Sequence, residues 1–418
     1  MEQYNRDIKT FALPNGFQVV TEYIPFFPSV SFGFWVRAGS VYETRETNGF
    51  SHFIEHMLFK STTTRSTLDI AAEIDCLGGQ VNAFTSKECT AFYAKVISEH
   101  LDRALDLVGD LILHPRFDPE EFEKERGVVL EEIAMSEDSP DDLTMDLIAE
   151  AWYGEHPLAY TILGPEQQIA TITRDELVSF YEKYYRPNNV VLSVAGQFDF
   201  DKLKETCERL FWNWEPSDEK IEIPVLASFE PKALIRRKDI EQVHIAQAWK
   251  GVGQSDLRMY PLSVLCNAIG GGNASRLFQK IREEMGAAYT VFCYPSVYTK
   301  NGEVILYAGT SQENAQKVSH AIHEEIKKLR DHGITEDEFH MAKEQLKVSY
   351  LLGMESASSR MMAIGKSYLT RGKVVDTREV LEKMNAVTLE ATNEEIKKIF
   401  TGPYAAAAVG QTVADIYL

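Results

Sequence analysis

A repeat at about half the chain length is the feature that most constrains the fold. Three pairs of similar segments keep the same order along the 418 residues. They contain Phe122 with Phe339, Thr173 with Thr388, and Gly196 with Gly410, and the offset within each pair is nearly the same. Because a repeat of this length corresponds to a whole domain, the sequence predicts two homologous halves of roughly 210 residues each.

Strand and helix patterns alternate in the same order in both halves. Short apolar, β-branched or aromatic runs predict strands at residues 31–36, 90–97, 243–249 and 302–308. Apolar residues at helical spacing predict helices at residues 100–112 and 315–329. The order β, α, β, α, α, β in each half indicates an α+β domain with helices packed on a sheet.

The boundary between the halves is predicted from proline and charge. Residues 215–232 contain three prolines among charged side chains, which is typical of a linker between domains. We therefore expect a first domain at residues 1–214 and a second domain at residues 233–418.

Composition excludes several classes of function. The chain has 43 Lys and Arg against 63 Asp and Glu, and this net charge of −20 argues against binding of nucleic acid or an anionic membrane through overall charge. Its five cysteines form no C-x-x-C pair, so neither a disulfide scaffold nor a cysteine-rich zinc module is indicated. No targeting presequence and no apolar run of roughly 18 residues is recognised. We expect a cytoplasmic protein with no membrane or nucleic-acid partner.

The most concentrated group of candidate catalytic side chains lies in the segment His52-Phe-Ile-Glu55-His56, an H-x-x-E-H motif. On a helix, His52 and His56 lie one turn apart on one face, which suits two imidazole ligands of a single zinc ion. The carboxylate of Glu55 lies beside them, where it can accept the proton of an acidified water. The motif also arises by chance in on the order of 4% of such chains, with His52 at the edge of the core and Glu55 in solvent.

Candidates for a third ligand lie in a helical stretch that starts at Asp118-Pro119. Glu125 and Glu132 are two helical turns apart and share a helix face, whereas Glu131 is rotated by about 100° from Glu132. One of the two carboxylates on the shared face would bind the metal, and the other would support a ligand. A charged surface helix is the alternative interpretation of this stretch.

Taken together, these motifs resemble the pitrilysin/insulysin/mitochondrial processing peptidase superfamily, the inverzincins. The resemblance includes H-x-x-E-H and the distant Glu132, which lies well beyond the second histidine in the segment Glu125-Arg-Gly-Val-Val-Leu-Glu-Glu. Further matching segments start at Gly78-Gly-Gln-Val-Asn82, Tyr153-Gly-Glu-His156, Tyr185-Arg-Pro187 and Ser275-Arg-Leu-Phe, so the resemblance covers essentially the whole chain.

The resemblance implies a role for each residue of the site. His52, His56 and Glu132 are expected to bind one zinc ion per chain, with Glu55 as the general base and Glu125 as a supporting acid. In the second half, the offset between Phe122 and Phe339 places Ala342 and Ser349 opposite Glu125 and Glu132, so that half cannot hold the ion.

The resemblance also implies how the substrate is held. Each domain is expected to have a mainly antiparallel sheet, and the two domains are expected to form a clamshell around a closed chamber. Arg282 and Tyr289 resemble a pair of donors that lies over the substrate, although an exposed helix residue and an ordinary strand aromatic would give the same sequence. The segment Asn82-Ala83-Phe84-Thr85 resembles a sheet edge to which an extended peptide adds as a strand.

Acidic residues after the third ligand suggest a preference among substrates. Asp142 and Asp146 are one helical turn apart and would hold a basic side chain of the peptide, whereas a solvated acidic loop and helix start is the alternative. The expected partners are extended peptides, basic ones among them, and a second copy of the chain, in a homodimer whose Arg282 and Tyr289 act on the partner's zinc. The sequence thus predicts a zinc-dependent endopeptidase for unfolded oligopeptides or presequence-like segments. The alternative is a non-catalytic scaffold subunit of the same superfamily.

Overall fold

The computed structural model describes residues 6–226 and 230–411. Residues 227–229 of the predicted linker therefore lie outside the described residues. The chain forms two compact units, and each unit takes in segments from both halves of the sequence. The first unit contains the chain up to Ile133 together with Thr161–Pro224 and Leu352–Thr377, and the second contains Ala134–Tyr160, Val225–Leu351 and the chain from Arg378 onwards.

The first unit is built on a six-stranded sheet. Its strands lie in the order β1-β2-β6-β3-β5-β4, and every neighbouring pair is antiparallel except the parallel pair β2 and β6. These strands are β1 (Asp7–Ala12), β2 (Gln18–Tyr23), β3 (Ser29–Val36), β4 (Gln80–Thr85), β5 (Thr90–Ile97) and β6 (Val190–Gly196).

Within the part of the chain that the structure describes, the second unit repeats this plan with five strands in the order β7-β11-β8-β10-β9. Only the pair β11 and β7 is parallel, and the others are antiparallel. The strands are β7 (Ala233–Arg237), β8 (Gln242–Lys250), β9 (Ala288–Val297), β10 (Gly302–Ser311) and β11 (Tyr404–Gly410).

Helices fill the intervals between the strands. Within the described ranges, no helix combines the length and the apolar character that a membrane span needs. In chain order the helices are α1 (Phe50–Leu58), α2 (Thr67–Leu77), α3 (Leu101–Leu113), α4 (Pro119–Asp138), α5 (Pro140–Tyr153), α6 (Glu166–Thr171), α7 (Arg174–Tyr184), α8 (Phe200–Phe211), α9 (Met259–Gly270), α10 (Ala315–His332), α11 (Glu336–Gly353), α12 (Ala357–Arg371), α13 (Thr377–Ala386) and α14 (Leu389–Phe400).

This architecture confirms the predicted fold class, since each unit is α+β with a mainly antiparallel sheet. The strands predicted at residues 31–36, 90–97, 243–249 and 302–308 lie within β3, β5, β8 and β10, and the two predicted helices correspond to α3 and α10. The helices also follow the repeat. Helix α4 starts at Pro119 and α11 at Glu336, and these positions are separated by the same offset as Phe122 and Phe339.

The units exchange one helix each, which the repeat did not predict. Helix α5 belongs to the second unit and packs on β8 and β11, whereas α12 belongs to the first unit and packs on β3 and β6. These two helices begin at Pro140 and Ala357, again at the offset of the repeat, so the exchanged pieces are equivalent in the two halves. The predicted domain boundaries at 214 and 233 concern the homologous halves and stay a prediction.

The exchanged helix α12 explains why the central strand β3 is apolar on both faces. Phe32 and Phe34 point into the main core, whereas Trp35 on the opposite face packs with Met361 and Ile364 of α12. A strand buried on both faces has a continuous apolar sequence and no polar alternation, as residues 32–36 show.

Charged contacts anchor α12 to the same sheet. The fully buried carboxylate of Glu22 on β2 accepts hydrogen bonds from Arg360 Nη1 at 2.6 Å and from Arg6 Nε at 2.9 Å. At the other end of the helix, Arg37 Nη2 donates to the carbonyl oxygen of Leu369 at 2.8 Å. A buried carboxylate is tolerated only when such partners compensate its lost hydration.

Gly365 on α12 provides a test of this packing. In Gly365→Ala, the new Cβ would overlap the indole ring of Trp35 and lie 2.7 Å from Ser193 Oγ. We expect this overpacking to destabilise the protein by about 1–3 kcal/mol, measured as a lower midpoint of thermal unfolding. In the control Gly127→Ala on α4, the Cβ meets nothing within 4 Å. Alanine adds up to ~1 kcal/mol of helix propensity, so the midpoint should stay the same or rise. Equal stability of the two variants would contradict the described contact.

Candidate metal centre

Two contacts fix the start of helix α1, which carries the H-x-x-E-H motif. Gly49 precedes the helix with φ of +95°, and a Cβ there would lie 2.6 Å from the carbonyl oxygen of Leu163. The buried carboxylate of Glu43 accepts hydrogen bonds from the backbone N–H groups of Gly49 at 2.9 Å and Ser51 at 2.8 Å, and from Asn48 Nδ2 at 3.0 Å. Glu43 thus satisfies backbone donors that the first turn of a helix leaves unpaired.

Burial and hydrogen bonding act on Glu43 in opposite directions. Burial raises the pKa of its carboxyl group, and the hydrogen bonds from Asn48, Ser51 and Gly49 only partly offset that effect. Glu43 was not predicted from the sequence, since no local motif links a glutamate to a helix that begins beyond the following loop.

An aromatic stack sets α1 against α4. The rings of Phe53 on α1 and Phe122 on α4 are parallel within 10°, with centroids 5.0 Å apart, and both side chains are buried. Phe53 is next to His52 in the chain, and Phe122 is one turn before Glu125. The stack therefore aligns the histidine face of α1 with the carboxylate face of α4.

His52, His56 and Glu132 converge as the sequence predicted. One ligand atom from each lies within 4.8 Å of the others, and no other such group occurs among residues 6–226 and 230–411. Glu132 Oε2 lies 3.5 Å from His52 Nε2 and 3.4 Å from His56 Nε2. These distances are long for hydrogen bonds to a carboxylate, which are usually about 2.7–2.9 Å.

The same distances suit a tetrahedral ion. Zinc binds imidazole nitrogen and carboxylate oxygen at about 2.0–2.2 Å, which places neighbouring ligand atoms of a tetrahedron roughly 3.3–3.5 Å apart. The donor set of two imidazoles and one carboxylate also leaves a fourth position open, as catalytic zinc sites do. The residues present therefore fit a zinc ion.

Glu125 supports the second histidine from the other side. Its Oε2 accepts a hydrogen bond from His56 Nδ1 at 3.2 Å, and its Oε1 lies 2.6 Å from Lys60 Nζ. Burial tends to raise the pKa of Glu125, but the hydrogen bonds from His56 and Lys60 outweigh it and lower the pKa. An ionised Glu125 holds the proton of His56 on Nδ1 and leaves Nε2 free to bind a metal. Lys60 was not among the predicted site residues, although it lies one turn beyond the motif.

The pKa values of the two histidines are shifted in opposite directions because their surroundings differ. Burial, together with the neighbouring His56, lowers the pKa of His52 to about 3, so that imidazole is neutral at physiological pH. Burial would also lower the pKa of His56, but the hydrogen bond to Glu125 and the charges of Glu132 and Glu55 raise it. The Nδ1 atom of His52 is buried and has no hydrogen-bond partner among the described residues.

Glu55 lies beside the ligands in a largely buried position. Its Oε2 accepts a hydrogen bond of 2.5 Å from Thr85 Oγ1 on β4. Burial raises the pKa of Glu55, opposed by the hydrogen bond from Thr85. The fully buried Tyr185 is close enough that the charge of Glu55 adds to the effect of burial and raises the pKa of that phenol. An acid with a raised pKa next to a metal site is suited to exchanging protons.

The predicted substrate residues of the first unit lie on β4. This strand is at the edge of the sheet, pairs with β5 on one side, and places Asn82, Ala83, Phe84 and Thr85 in a row that ends at Glu55. The structure thus connects the predicted peptide edge to the predicted base.

The second unit brings Arg282 and Tyr289 together. The guanidinium group of Arg282 lies over the ring of Tyr289 at 5.0 Å and over the ring of Phe278 at 4.7 Å. Arg282 belongs to a π-helical segment, Phe278–Glu284, and such segments are frequent at functional sites. Tyr289 is 75% exposed at the start of the edge strand β9. The ring orients the guanidinium group of the half-buried Arg282, while Tyr289 itself is largely exposed.

Asp142 and Asp146 lie on α5, also in the second unit. Asp142 is exposed at the start of this helix. The pKa of Tyr307 on β10 is raised, first by burial of the phenol and then by the negative charges of Asp141 and Asp142. The two aspartates therefore share a helix that packs on the second sheet.

The second unit lacks the carboxylates of the metal centre. At the positions equivalent to Glu125 and Glu132, helix α11 carries the buried Ala342 and the exposed Ser349. Neither side chain offers a carboxylate oxygen, as the sequence predicted for this half.

Comparison with known proteins identifies the family to which the chain belongs. The family model described as insulinase, peptidase family M16, matches residues 18–166, and the model described as peptidase M16 inactive domain matches residues 171–346. A protein of Bacillus subtilis named as an uncharacterized zinc protease is 43% identical over 96% of this chain and 98% of its own length. The chain belongs to peptidase family M16. This confirms the resemblance drawn from the H-x-x-E-H motif and its distant glutamate.

Other M16 relatives agree with this assignment. A Mycobacterium tuberculosis protein, also named as an uncharacterized zinc protease, is 37% identical over 95% of this chain and 92% of that protein. A solved protease structure from Helicobacter pylori has a TM-score of 0.91 at 23% identity, covering 97% of this chain and 100% of that one. A Pseudomonas fluorescens structure described as a peptidase M16 inactive domain has a TM-score of 0.88 at 20% identity, covering 98% of this chain and 99% of that one. These two structures share the M16 fold.

Proposed function

We propose that the chain is a zinc-dependent endopeptidase that binds one zinc ion through His52, His56 and Glu132. The observation that carries the proposal is the spacing of their ligand atoms, 3.4 and 3.5 Å from Glu132 Oε2, beside a largely buried Glu55. Zinc held there supplies a Lewis acid that lowers the pKa of water and polarises a carbonyl group.

The side chains around the ligands then divide the work of hydrolysis. Glu55 accepts the proton of the attacking water and returns it to the amine that leaves. Glu125, held by Lys60, keeps His56 in the tautomer that presents Nε2. The guanidinium of Arg282 and the phenol of Tyr289 act as donors to the oxygen on which negative charge develops.

The proposed substrates are extended peptides, because β4 offers an edge with free main-chain groups. Pairing with backbone favours unfolded oligopeptides or presequence-like segments of varied sequence. We place the enzyme in the cytoplasm as a homodimer in which Arg282 and Tyr289 act on the zinc of the partner chain.

Glu55→Gln separates metal binding from hydrolysis. We expect this variant to keep its zinc and to lose cleavage by about two to four orders of magnitude, since it lacks a general base. His52→Ala should lose both zinc and activity. Glu131→Gln, which changes an exposed carboxylate next to Glu132, should keep both. Metal analysis and cleavage of a quenched peptide library measure these outcomes. Turnover by Glu55→Gln would reject the mechanism, and zinc binding without any wild-type cleavage would favour the scaffold alternative.

Mixing two inactive variants tests the dimer. Glu55→Gln retains the donors, and Arg282→Ala with Tyr289→Phe retains the metal site and the base. If the donors act on the partner's zinc, equal mixing should restore about a quarter of wild-type activity, because half of the dimers are mixed and each has one complete site. Activity that stays at the level of the separate variants, or a monomer in sedimentation with full activity, would be incompatible with the arrangement.

Asp142→Asn combined with Asp146→Asn tests the proposed preference for basic peptides. Each exposed ion pair contributes up to ~1 kcal/mol, so the ratio of cleavage rates for basic and neutral peptides should fall by up to about fivefold per lost pair. Glu150→Gln, an exposed change on the same helix, should leave that ratio unchanged. An unaltered ratio in the double variant would assign the two aspartates to a solvated surface.

A further inference from the structure

The proposed base is held by the strand to which the peptide is proposed to add. Glu55 lies on α1, but the hydroxyl of Thr85, the last residue of β4, donates to its Oε2 at 2.5 Å. A hydrogen bond from a hydroxyl to a carboxylate is charge-assisted and among the stronger kinds in proteins. The position of the carboxylate therefore depends on the position of the end of β4.

The hydroxyl proton of Thr85 is committed to Glu55. Thr85 is paired with Thr90 across the β4–β5 ladder, and their Oγ1 atoms are 3.3 Å apart. The buried Thr90 Oγ1 donates its own proton to the carbonyl oxygen of Ala38 at 2.9 Å. A hydroxyl has one proton, so Thr90 does not donate to Thr85, and the proton of Thr85 goes to Glu55.

The strand that carries Thr85 is anchored on one side. β4 pairs with β5 and forms the edge of the six-stranded sheet, and Gln80 and Asn82 along it are exposed. Edge strands have unpaired main-chain groups on the outer side, and an added strand would pair with them. An added peptide would thus restrain β4 from both sides, and the restraint would reach Thr85.

We propose that Thr85 is a positioning residue that couples occupancy of β4 by an extended peptide to the orientation of Glu55. The proposal rests on the proposed function and adds to it the expectation that longer peptides are better substrates. Contacts between the peptide and β4, away from the scissile bond, would raise kcat because they hold the base in place. Their effect would therefore not be confined to KM.

Kinetics of Thr85→Val and Thr85→Ser test the coupling. Valine keeps the shape of threonine without the hydroxyl, whereas serine keeps the hydroxyl. We expect Thr85→Val to lower kcat by about 10–100-fold with KM and zinc content little changed, and Thr85→Ser to retain most of kcat. In a series of peptides of increasing length, kcat should rise with length in the wild type and in Thr85→Ser, but not in Thr85→Val. A loss confined to KM, or a length dependence of kcat that persists in Thr85→Val, would overturn the proposal.

Hydrogen exchange gives a measurement that needs no turnover. In zinc-loaded Glu55→Gln, whose amide oxygen still accepts the Thr85 hydroxyl, a bound peptide should slow exchange both in β4 and in residues 50–58. In Glu55→Gln with Thr85→Val, it should slow exchange in β4 alone. Equal protection of residues 50–58 in both proteins would refute the coupling.

The two measurements separate this proposal from the proposed function. If the wild type binds peptide with the expected pattern of exchange but cleaves nothing, the coupling stands and the peptidase function fails. If the wild type cleaves peptides but β4 gains no protection, the enzyme is a peptidase and the coupling through Thr85 is wrong.

Discussion

The stack of Phe53 on Phe122 is the contact on which the proposed metal centre depends. It joins α1 to α4 inside the main core and lies within one turn of ligands or supporting residues on both helices. Neither helix carries a complete ligand set, since α1 supplies two imidazoles and α4 supplies the carboxylates. The hydrophobic effect that buries these two rings thus also positions polar groups that would otherwise repel or remain hydrated.

The second unit shows which parts of this arrangement belong to the fold and which to the chemistry. Phe339, the equivalent of Phe122, remains buried in the core of the second unit. The equivalents of Glu125 and Glu132 are Ala342 and Ser349, which carry no charge. A core aromatic has been kept and the carboxylates are absent, as expected when a repeat retains its packing without its metal. The description of the second family model as an inactive domain agrees with this difference.

Local patterns predicted the parts of the site that lie close together in the chain. The spacing of His52 and His56 and that of Glu125 and Glu132 are helical periods, and the structure brings both pairs to one place. Lys60, which completes the support of His56, lies just beyond the motif but carries no spacing signal of its own. Glu43 and the role of Thr85 could not be predicted, because each depends on a contact between segments whose separation follows no period. The helix exchange could not be predicted for a different reason. The amphipathic pattern of α12 indicates that one helix face is buried, but it does not indicate which sheet that face packs against.

The exchange of α5 and α12 bears on how the chain could have arisen and on how fragments of it would behave. Each homologous half donates its equivalent helix to the sheet of the other, which is the arrangement of a domain-swapped dimer whose two copies have been joined into one polypeptide. A single half would leave the Trp35 face of its sheet without the helix that covers it. A cut in the connection at residues 215–232 would therefore yield two fragments that still need each other to complete their cores.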